Sequence, residues 1–562
     1  MIMVLSGMLL SGCSRVDHTD SGSGAGLTTP SPVVKPTESV TPVVNTGDAS
    51  RDVRTEVPYA YEQELNILQD NNRNYYEIFV YSFYDSNKDG IGDINGVIEK
   101  LDYIQGMGFN GIWLMPVMPA ASYHKYDVTD YYNIDPEYGS LEDFKRLAEE
   151  CHKRDIKLII DFVINHTSSK HPWFTEAVTY LESLKDGEAP DASVCPYVGY
   201  YHFTKESNGN TAYHRVGTTD FYYEGVFWEQ MPDLALENKA VRKEIEKIVK
   251  FWIALGVDGL RLDAAKEYFT GETQKNVEVL KWFESYVTGI KPDAYIVGEV
   301  WEERNTIANY YKSGVSSFFN FPLAQYNGII INTVRKLGTG SATSFADSIT
   351  KMQKLYGENN PDYIDAPFVS NHDTTRISAM CVNNEEQMKM AAGLVLSLSG
   401  SPFVYYGEEI GMNSLGDKDE NKRLPMRWSA VQQTGMTRGP VKADKIVQKF
   451  EPVDVQEKDP LSILNYYKRA LRIRNENPEI ARGTVKIVEA LTNQNICVLE
   501  KDYQGSRLLL VYNITQTTEA VNLMEAGYDK LSLRGYLTVD GSVVEWNEGI
   551  LSLPAYSIAI LK

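Results

Sequence analysis

The sequence predicts an α/β fold: a (β/α)8 barrel with a subdomain inserted after strand 3 and a C-terminal antiparallel β-sandwich. Three features of the 562-residue chain lead to this fold class. Short apolar runs alternate with amphipathic stretches. A long segment rich in Tyr, Gly and Asp follows the third run, and short alternating strands begin after about residue 475. Strands that alternate with helical patterns are typical of parallel sheets.

Eight apolar runs have the composition of strands that are buried on both faces. They lie at 75–83, 111–116, 157–163, 259–264, 294–300, 316–321, 366–373 and 401–407. Between the second and third runs, Leu141, Phe144, Leu147, Ala148 and Cys151 recur at the spacing of one helix face. Eight strands with intervening helices predict a barrel, which we place at residues 56–166 and 236–474.

Two segments interrupt or end this alternation. Residues 167–235 are too long for a simple connection between a strand and a helix, so we expect an inserted subdomain there. Residues 475–562 contain short strands such as "ICVLEK" and "RLLLVYNIT", which predict the antiparallel β-sandwich.

The N-terminus resembles a bacterial lipoprotein signal. Residues 1–13 are apolar, then small, and end in "LSGC", so Cys13 is the expected lipidation site, although no Lys or Arg precedes the apolar run. The alternative is a ragged hydrophobic terminus. Residues 14–55 are rich in Ser, Thr, Pro and Gly and predict a flexible tether. We therefore expect an enzyme that is lipid-anchored on the extracellular face of a bacterial membrane.

Composition narrows the partners of the protein. The formal net charge is −21, which argues against nucleic acid as a partner because phosphate backbones require basic surfaces. The five cysteines are scattered, so neither a zinc site nor a disulfide framework is expected. No apolar stretch of about 20 residues lies in the body of the chain, so we expect membrane contact only through the lipid anchor. We also expect the protein to be a monomer.

Polar residues at the ends of the apolar runs are the candidate functional residues, because the active site of such a barrel lies at the carboxyl ends of its strands. Three carboxylates, two histidines and an arginine are expected to meet there. One carboxylate can attack an anomeric carbon, a second with a raised pKa can protonate the leaving oxygen, and a third can bind sugar hydroxyls. This set is drawn from the polar residues at the ends of the runs, which are Asp161, Asn165, His166, Arg261, Asp263, Lys266, Glu267, Glu299, Asn371, His372, Asp373 and Arg376.

The chain resembles the α-amylase family of retaining glycoside hydrolases. The segments that carry the resemblance occur in the order of the family and span residues 75–560. They are "GIWLMPV", "DFVINH", "MPDL", "GLRLDAAKE", "VGEVW", "FVSNHD" and "SPFVYYGEE". The resemblance implies the same barrel, inserted domain and C-terminal sandwich that the pattern predicts.

The resemblance also implies residue roles. Asp263 would be the nucleophile, Glu299 the acid/base and Asp373 the stabiliser of the transition state. The expected substrate-binding residues are Tyr126, Asp127, His166, Arg261, Lys266, His372 and Arg376. Lys266 could instead form only a salt bridge.

The implied reaction is hydrolysis of α-1,4-glucosidic bonds of starch or maltodextrins by an endo-acting α-amylase, with retention. The alternative within the family is a neopullulanase, cyclomaltodextrinase or α-glucosidase. A non-catalytic starch-binding surface protein is a third candidate, but the intact set of Asp263, Glu299 and Asp373 argues against it.

The stretch "YDSNKDGIGD", residues 84–93, predicts a structural calcium site. Asp85, Asn87, Asp89 and Asp93, with the carbonyl of Ile91, supply the hard oxygen ligands that calcium prefers. Gly96 stands where an EF-hand needs a bidentate Glu, which argues against a calcium sensor, and a polar surface turn without calcium is the alternative. The family resemblance implies a possible second calcium ligand at Asn165. Glu267 replaces the usual His that contributes a carbonyl there, which leaves this second site in doubt.

Overall fold

The computed structural model describes residues 63–185, 187–338 and 340–562. The predicted signal with Cys13 and the tether at 14–55 lie outside the described residues. Within those ranges, no helix combines the length and the apolar character that crossing a bilayer requires.

The described residues form eighteen strands and fifteen α-helices. In chain order, strands β1 to β18 are Tyr75–Ile78, Gly111–Leu114, Lys157–Phe162, Phe203–Thr204, Tyr213–Arg215, Tyr222–Glu224, Gly259–Leu262, Tyr295–Gly298, Ser317–Phe318, Phe403–Tyr405, Thr484–Ile487, Ile496–Tyr503, Ser506–Asn513, Glu519–Asn522, Leu533–Thr538, Glu545–Asn547, Ile550–Leu553 and Ser557–Leu561. Helices α1 to α15 are Ile94–Glu99, Leu101–Met107, Leu141–Lys153, Pro172–Ser183, Lys239–Ala254, Thr273–Ile290, Arg304–Tyr310, Ile329–Arg335, Ala342–Asn359, Ile377–Met380, Glu385–Leu396, Asp419–Lys422, Val453–Gln456, Ile463–Glu476 and Pro478–Arg482.

Seven parallel strands form the barrel sheet, in the order β10-β1-β2-β3-β7-β8-β9. The seventh predicted run occupies the remaining place between β9 and β10 without becoming a regular strand. Phe319 pairs with Ala366 on one side, and the Phe403 amide donates to the Pro367 carbonyl on the other at 2.9 Å. Pro367 has no N–H to donate, so a regular ladder cannot run through this segment. The ring of eight positions confirms the predicted barrel.

The helices on the outside of the barrel follow from local sequence signals. Helix α3 begins after Ser140, whose side chain forms a reciprocal capping box with Asp143. Its predicted apolar face is confirmed for Phe144, Leu147, Ala148 and Cys151, which are buried. Leu141 is only partly buried. Such one-sided burial holds each helix against the strands that it connects.

The segment after β3 carries helix α4 and a small antiparallel sheet of β4, β6 and β5. Aromatic contacts form its interior, with the Phe174 ring 4.8 Å from that of Tyr223. A bridge between His166 and Asp233 joins the end of this segment to the chain that leaves β3. The inserted segment therefore forms one wall beside the carboxyl end of β3.

The C-terminal region is a two-layer antiparallel structure, with a five-stranded sheet in the order β11-β12-β13-β18-β15 and a three-stranded sheet in the order β14-β17-β16. Alternate residues of β13 face different cores, as the two-residue repeat of a strand requires. Leu508 and Leu510 pack into the core of the barrel, whereas Leu509 and Val511 belong to a separate core with Leu551 of β17. This arrangement confirms the predicted sandwich.

Candidate active site

The candidate catalytic side chains lie at the carboxyl ends of neighbouring barrel strands. Asp263 follows β7 and Glu299 follows β8, while Asp373 is the last residue of the seventh run, 366–373. Parallel strands bring these ends to one edge. Residues far apart in the sequence therefore meet there.

Arg261 of β7 is the centre of the site. Its side chain is fully buried and contacts three carboxylates. Nη1 lies 2.8 Å from Asp161 Oδ1 and 2.6 Å from Asp263 Oδ1, and Nη2 lies 2.8 Å from Glu299 Oε2. One positive charge therefore lies within ion-pair distance of two candidate catalytic groups at once, although Nη2 makes no hydrogen bond to Glu299.

Glu299 has the surroundings of a general acid. Burial, the largest effect, raises the pKa of its carboxyl group; Arg261 opposes the rise, and the nearby charges of Asp263 and Asp373 add to it. The backbone N–H of Ala264 donates to Glu299 Oε2 at 3.0 Å. Ala264 has a φ of 42°, in the left-handed region, directly after Asp263. This turn of the chain links the two carboxylates through backbone as well as through Arg261.

His372 connects Asp373 to the wall of the barrel. Its Nδ1 lies 2.5 Å from Glu77 Oε1 and its Nε2 lies 2.9 Å from Asp373 Oδ2. Burial disfavours a charged ring, but the negative charges of Asp373 and Glu77 outweigh this effect and raise the pKa of His372 to about 9. Burial raises the pKa of Glu77, and the positive His372 ring opposes that rise. The ring therefore carries a proton on both nitrogens at neutral pH.

Tyr126 joins the two halves of the site. Its hydroxyl donates to Asp161 Oδ2 at 3.0 Å and lies 2.6 Å from His372 Nε2. The structure thus brings the predicted Asp263, Glu299, Asp373, Arg261, His372 and Tyr126 into one continuous polar network.

His166 lies beside this network. Its Nε2 is 3.2 Å from the carbonyl oxygen of Tyr126, and its ring contacts Phe227 of the inserted segment. Its buried Nδ1 has no hydrogen-bond partner among the described residues.

Two predicted substrate-binding residues make their hydrogen bonds away from the three candidate catalytic carboxylates, and their predicted role stays untested. Arg376 is fully buried, and its guanidinium donates to the carbonyls of Tyr406 and Lys422, so it holds loops behind the site. Asp127 is also buried, and its carboxylate accepts from the amide and the hydroxyl of Ser122, so it shapes its own turn. Both were predicted because they adjoin motif residues, and adjacency in sequence does not fix the direction of a side chain.

Lys266 forms a salt bridge. Its Nζ lies 2.9 Å from Glu302 Oε1 and 3.7 Å from Glu267 Oε1, and the side chain is 28% exposed. The salt bridge is the second of the two roles predicted for it. The contact connects the loop after β7 with the loop after β8.

Two residues of the network were missing from the predicted functional set. Glu77 stands as a lone charge within the apolar strand β1, and such a charge in a barrel strand is a usable signal. Arg423 Nη2 lies 2.7 Å from Asp373 Oδ1. Arg423 comes from a long loop after β10, and nothing in its local sequence marks it.

The predicted calcium loop is held together by local hydrogen bonds. Asp85 accepts from the amides of Lys88 and Gly90 at 2.6 and 2.7 Å, and Asp93 caps α1 by accepting from Gly96 at 2.7 Å. Asp89 accepts from the amide of Ile91 at 2.8 Å. The oxygen donors suit calcium, but within the described ranges no group of three or more Asp, Glu, His or Cys side chains has an arrangement that could hold a metal ion. Calcium in this loop, with Asn87 as a further ligand, stays a prediction.

Asn165 has surroundings that fit its predicted role as a ligand of a second cation. Both polar atoms of its amide are buried and have no hydrogen-bond partner within the part of the chain described. An amide left without partners is costly, and an oxygen-binding cation would satisfy its oxygen. This second site also stays a prediction.

The pKa of His372 generates a prediction about stability and pH. Because the folded-state pKa of about 9 exceeds the ordinary value of 6.5, this histidine stabilises the fold fully below about pH 6.5. Its contribution is lost as the pH rises through about 9. Glu77→Gln removes one of the two negative partners. We therefore expect the difference in unfolding free energy between wild type and this variant to shrink between pH 6.5 and 9, measured by denaturant melts. A constant difference would contradict the paired, protonated histidine.

The calcium loop generates a second prediction. We expect a chelator to lower the melting temperature of the wild type, because a bound ion stabilises only the folded state. The variant Asp85→Ala/Asp89→Ala should have a lower melting temperature without chelator and should not respond to it. Asn165→Ala serves as the matched control. If the loop variant responds as the wild type does and Asn165→Ala does not, the ion lies at Asn165; no response in the wild type excludes a structural calcium.

Comparison with known proteins gives a consistent result. The family described as alpha amylase, catalytic domain, matches residues 77–483. The chain is 38% identical over 501 residues to alpha-amylase 3 of Dictyoglomus thermophilum, covering 87% of this chain and 92% of that protein. It is 29% identical to an oligo-1,6-glucosidase of Parageobacillus thermoglucosidasius, covering 80% of this chain and 91% of that protein.

A solved structure shares the fold as well as the sequence. Eubacterium rectale Amy13B superposes with a TM-score of 0.86 at 44% identity, over 89% of this chain and 97% of that protein. The match to the catalytic domain covers more than half of the chain and includes every strand of the barrel except β1, of which it includes the last two residues. On these grounds the chain belongs to the α-amylase family of glycoside hydrolases.

Proposed function

We propose that the protein is an endo-acting α-amylase that hydrolyses α-1,4-glucosidic bonds of starch or maltodextrins with retention of configuration. The observation that carries the proposal is the contact of one guanidinium, that of Arg261, with both Asp263 and Glu299. Two carboxylates on adjacent nitrogens of one arginine lie close together. A close spacing, about 5–5.5 Å, is the arrangement of retaining glycosidases, in which no water fits between nucleophile and sugar.

In the first step, Asp263 attacks the anomeric carbon and Glu299 donates its proton to the leaving glycosidic oxygen. Arg261 Nη1 contacts the attacking carboxylate of Asp263, and burial raises the pKa of Glu299, the proton donor. A covalent glycosyl ester forms on Asp263, the glycosidic bond breaks, and the shortened chain leaves with the proton of Glu299.

In the second step, Glu299 removes a proton from water, and the resulting hydroxide breaks the ester bond at the anomeric carbon. Asp263 leaves as a carboxylate, and Glu299 is protonated again. Asp373 accepts hydrogen bonds from hydroxyls of the sugar as positive charge develops on the sugar ring. The protonated His372 beside it is a hydrogen-bond donor. Tyr126 offers a ring face for the same sugar, and His166 is the proposed partner of a sugar hydroxyl, as the sequence motif predicts.

We further propose a location and an oligomeric state for the enzyme. The lipoprotein-type signal ending at Cys13 and the tether at 14–55 support attachment to the extracellular face of a bacterial membrane by a lipid. Such an enzyme would act on polymers too large to cross the membrane. We expect it to work as a monomer.

The second candidate is an enzyme of the same family that prefers short or branched substrates, a neopullulanase, cyclomaltodextrinase or α-glucosidase. The relative named oligo-1,6-glucosidase, similar over most of its length, keeps this candidate open. The higher identity to a protein named α-amylase favours the first candidate.

The proposed roles are tested by two isosteric substitutions. We expect Asp263→Asn and Glu299→Gln each to reduce turnover of starch by at least about 1,000-fold, because each removes a group that reacts in the transition state. Arg376→Lys is a matched control outside the reacting groups, expected to affect melting temperature more than turnover. Turnover near that of the wild type in either carboxylate variant would overturn the assignment.

The mode of action is tested by products. We expect timed digests of amylose to give a range of maltooligosaccharides from the first minutes, while pullulan and cyclodextrins are cut more slowly. The separation of products by chromatography distinguishes the candidates. Release of glucose alone from chain ends would establish an α-glucosidase. Faster cleavage of pullulan or cyclodextrin than of amylose would establish a neopullulanase or cyclomaltodextrinase.

A further inference from the structure

Asp373 is held from both of its oxygens. Oδ2 lies 2.9 Å from His372 Nε2, and Oδ1 lies 2.7 Å from Arg423 Nη2. The Asp373 side chain is 30% exposed, whereas the Arg423 side chain is 4% exposed. The carboxylate thus faces the open side of the site, and both positive partners lie on its buried side.

Arg423 connects three separate parts of the chain. Its Nε donates to the carbonyl of His372 at 3.2 Å, and its Nη1 donates to the hydroxyl of Tyr123 at 3.2 Å. The guanidinium therefore contacts both the side chain of Asp373 and the backbone carbonyl of His372, the residue before it. The planar fork of an arginine has the geometry for such a multiple contact, which a lysine lacks. The neighbouring Lys422 Nζ also donates to the carbonyl of Asp373, at 2.8 Å.

The groups that face Asp373 come from several elements. His372, Arg423 and Arg261 are the cations that favour its charged form, in that order, against the opposing effect of burial, and they hold the pKa of Asp373 well below its usual range. Glu299, Tyr126 and His124 also interact with its charge. Among the positive groups, Arg423 shares an element with neither Asp373 nor the other carboxylates.

We propose that Arg423 is a positioning residue for the reaction, which keeps the Asp373 carboxylate ionised and in a single orientation against His372. The inference rests on the proposed function, because it assigns Arg423 to act through the stabilising carboxylate. The competing explanation is that Arg423 only fastens the loop after β10 to the barrel. The two explanations differ in what happens to the pH dependence of turnover.

The experiment compares Arg423→Gln and Arg423→Lys with Arg427→Gln. Arg427 lies four residues further along the same segment, is less buried than Arg423 and donates to the carbonyl of Phe450, but contacts none of the site carboxylates. The substrate is a maltooligosaccharide of defined length. The measurements are kcat and KM as functions of pH, together with the melting temperature of each variant.

For Arg423→Gln we expect kcat/KM to fall about 100-fold, mainly through kcat, because a stabilising group shifted by about 1 Å can cost that much. Without the arginine, Asp373 takes up a proton at a higher pH, so the acid limb of the profile should move upward by roughly one pH unit. Guanidinium chloride, added below denaturing concentrations, should restore part of the activity. Arg423→Lys should fall between Arg423→Gln and wild type, and Arg427→Gln should match wild type in kinetics.

An acid limb at the wild-type position in both Arg423 variants, with no rescue by guanidinium, would overturn the proposal and leave only the loop-fastening role. If Arg423→Gln does not fold, Arg423→Lys decides: kinetics equal to wild type would overturn the proposal, and a reduced kcat with a shifted acid limb would support it. Failure of the proposed function looks different, because the wild type itself would then not cleave the maltooligosaccharide.

Discussion

The buried positive charge of Arg261 is the interaction on which the rest of the site depends. A guanidinium with no exposure to water is costly unless carboxylates surround it, and here three of them do. Each of these carboxylates would also be costly to bury alone. The set is therefore stable only as a whole, and the barrel must bring β3, β7 and β8 together in register before any member is compensated. The charged groups of the site can therefore be buried only once these barrel strands have paired.

The network also divides labour between its two halves. On one side, Arg261 contacts Asp263, the proposed nucleophile, and burial raises the pKa of Glu299, the proposed acid. On the other side, a protonated His372 and Arg423 meet the single exposed carboxylate, Asp373. Tyr126 joins the halves through Asp161 and His372. Asp161 and Arg261 lie on strands of the barrel, whereas Tyr126, Asp373 and Arg423 lie outside the strands, so the barrel sheet itself holds only the half of the network around Arg261.

Sequence reasoning succeeded where a side chain sits on a strand end, and it failed where contacts cross between loops. Asp263 and Glu299 follow apolar runs whose direction is fixed by the barrel, so their convergence could be predicted. Arg376 was predicted at the site because it follows a motif, yet it points behind the site, while Arg423, fifty residues beyond Asp373, supplies the contact. Similarly, the apolar run at 366–373 predicts a strand, but Pro367 cannot donate to a ladder. Long-range side-chain pairing carries no local signal.

The alternation of β13 between two cores has a consequence for the architecture. Leu508 and Leu510 are part of the interior of the barrel, whereas Leu509 and Val511 are part of the interior of the sandwich. The five-stranded C-terminal sheet thus contributes one face to each of the two hydrophobic cores. The two parts should melt in one cooperative step, and evolution can exchange the sandwich only together with the barrel surface against which it is moulded.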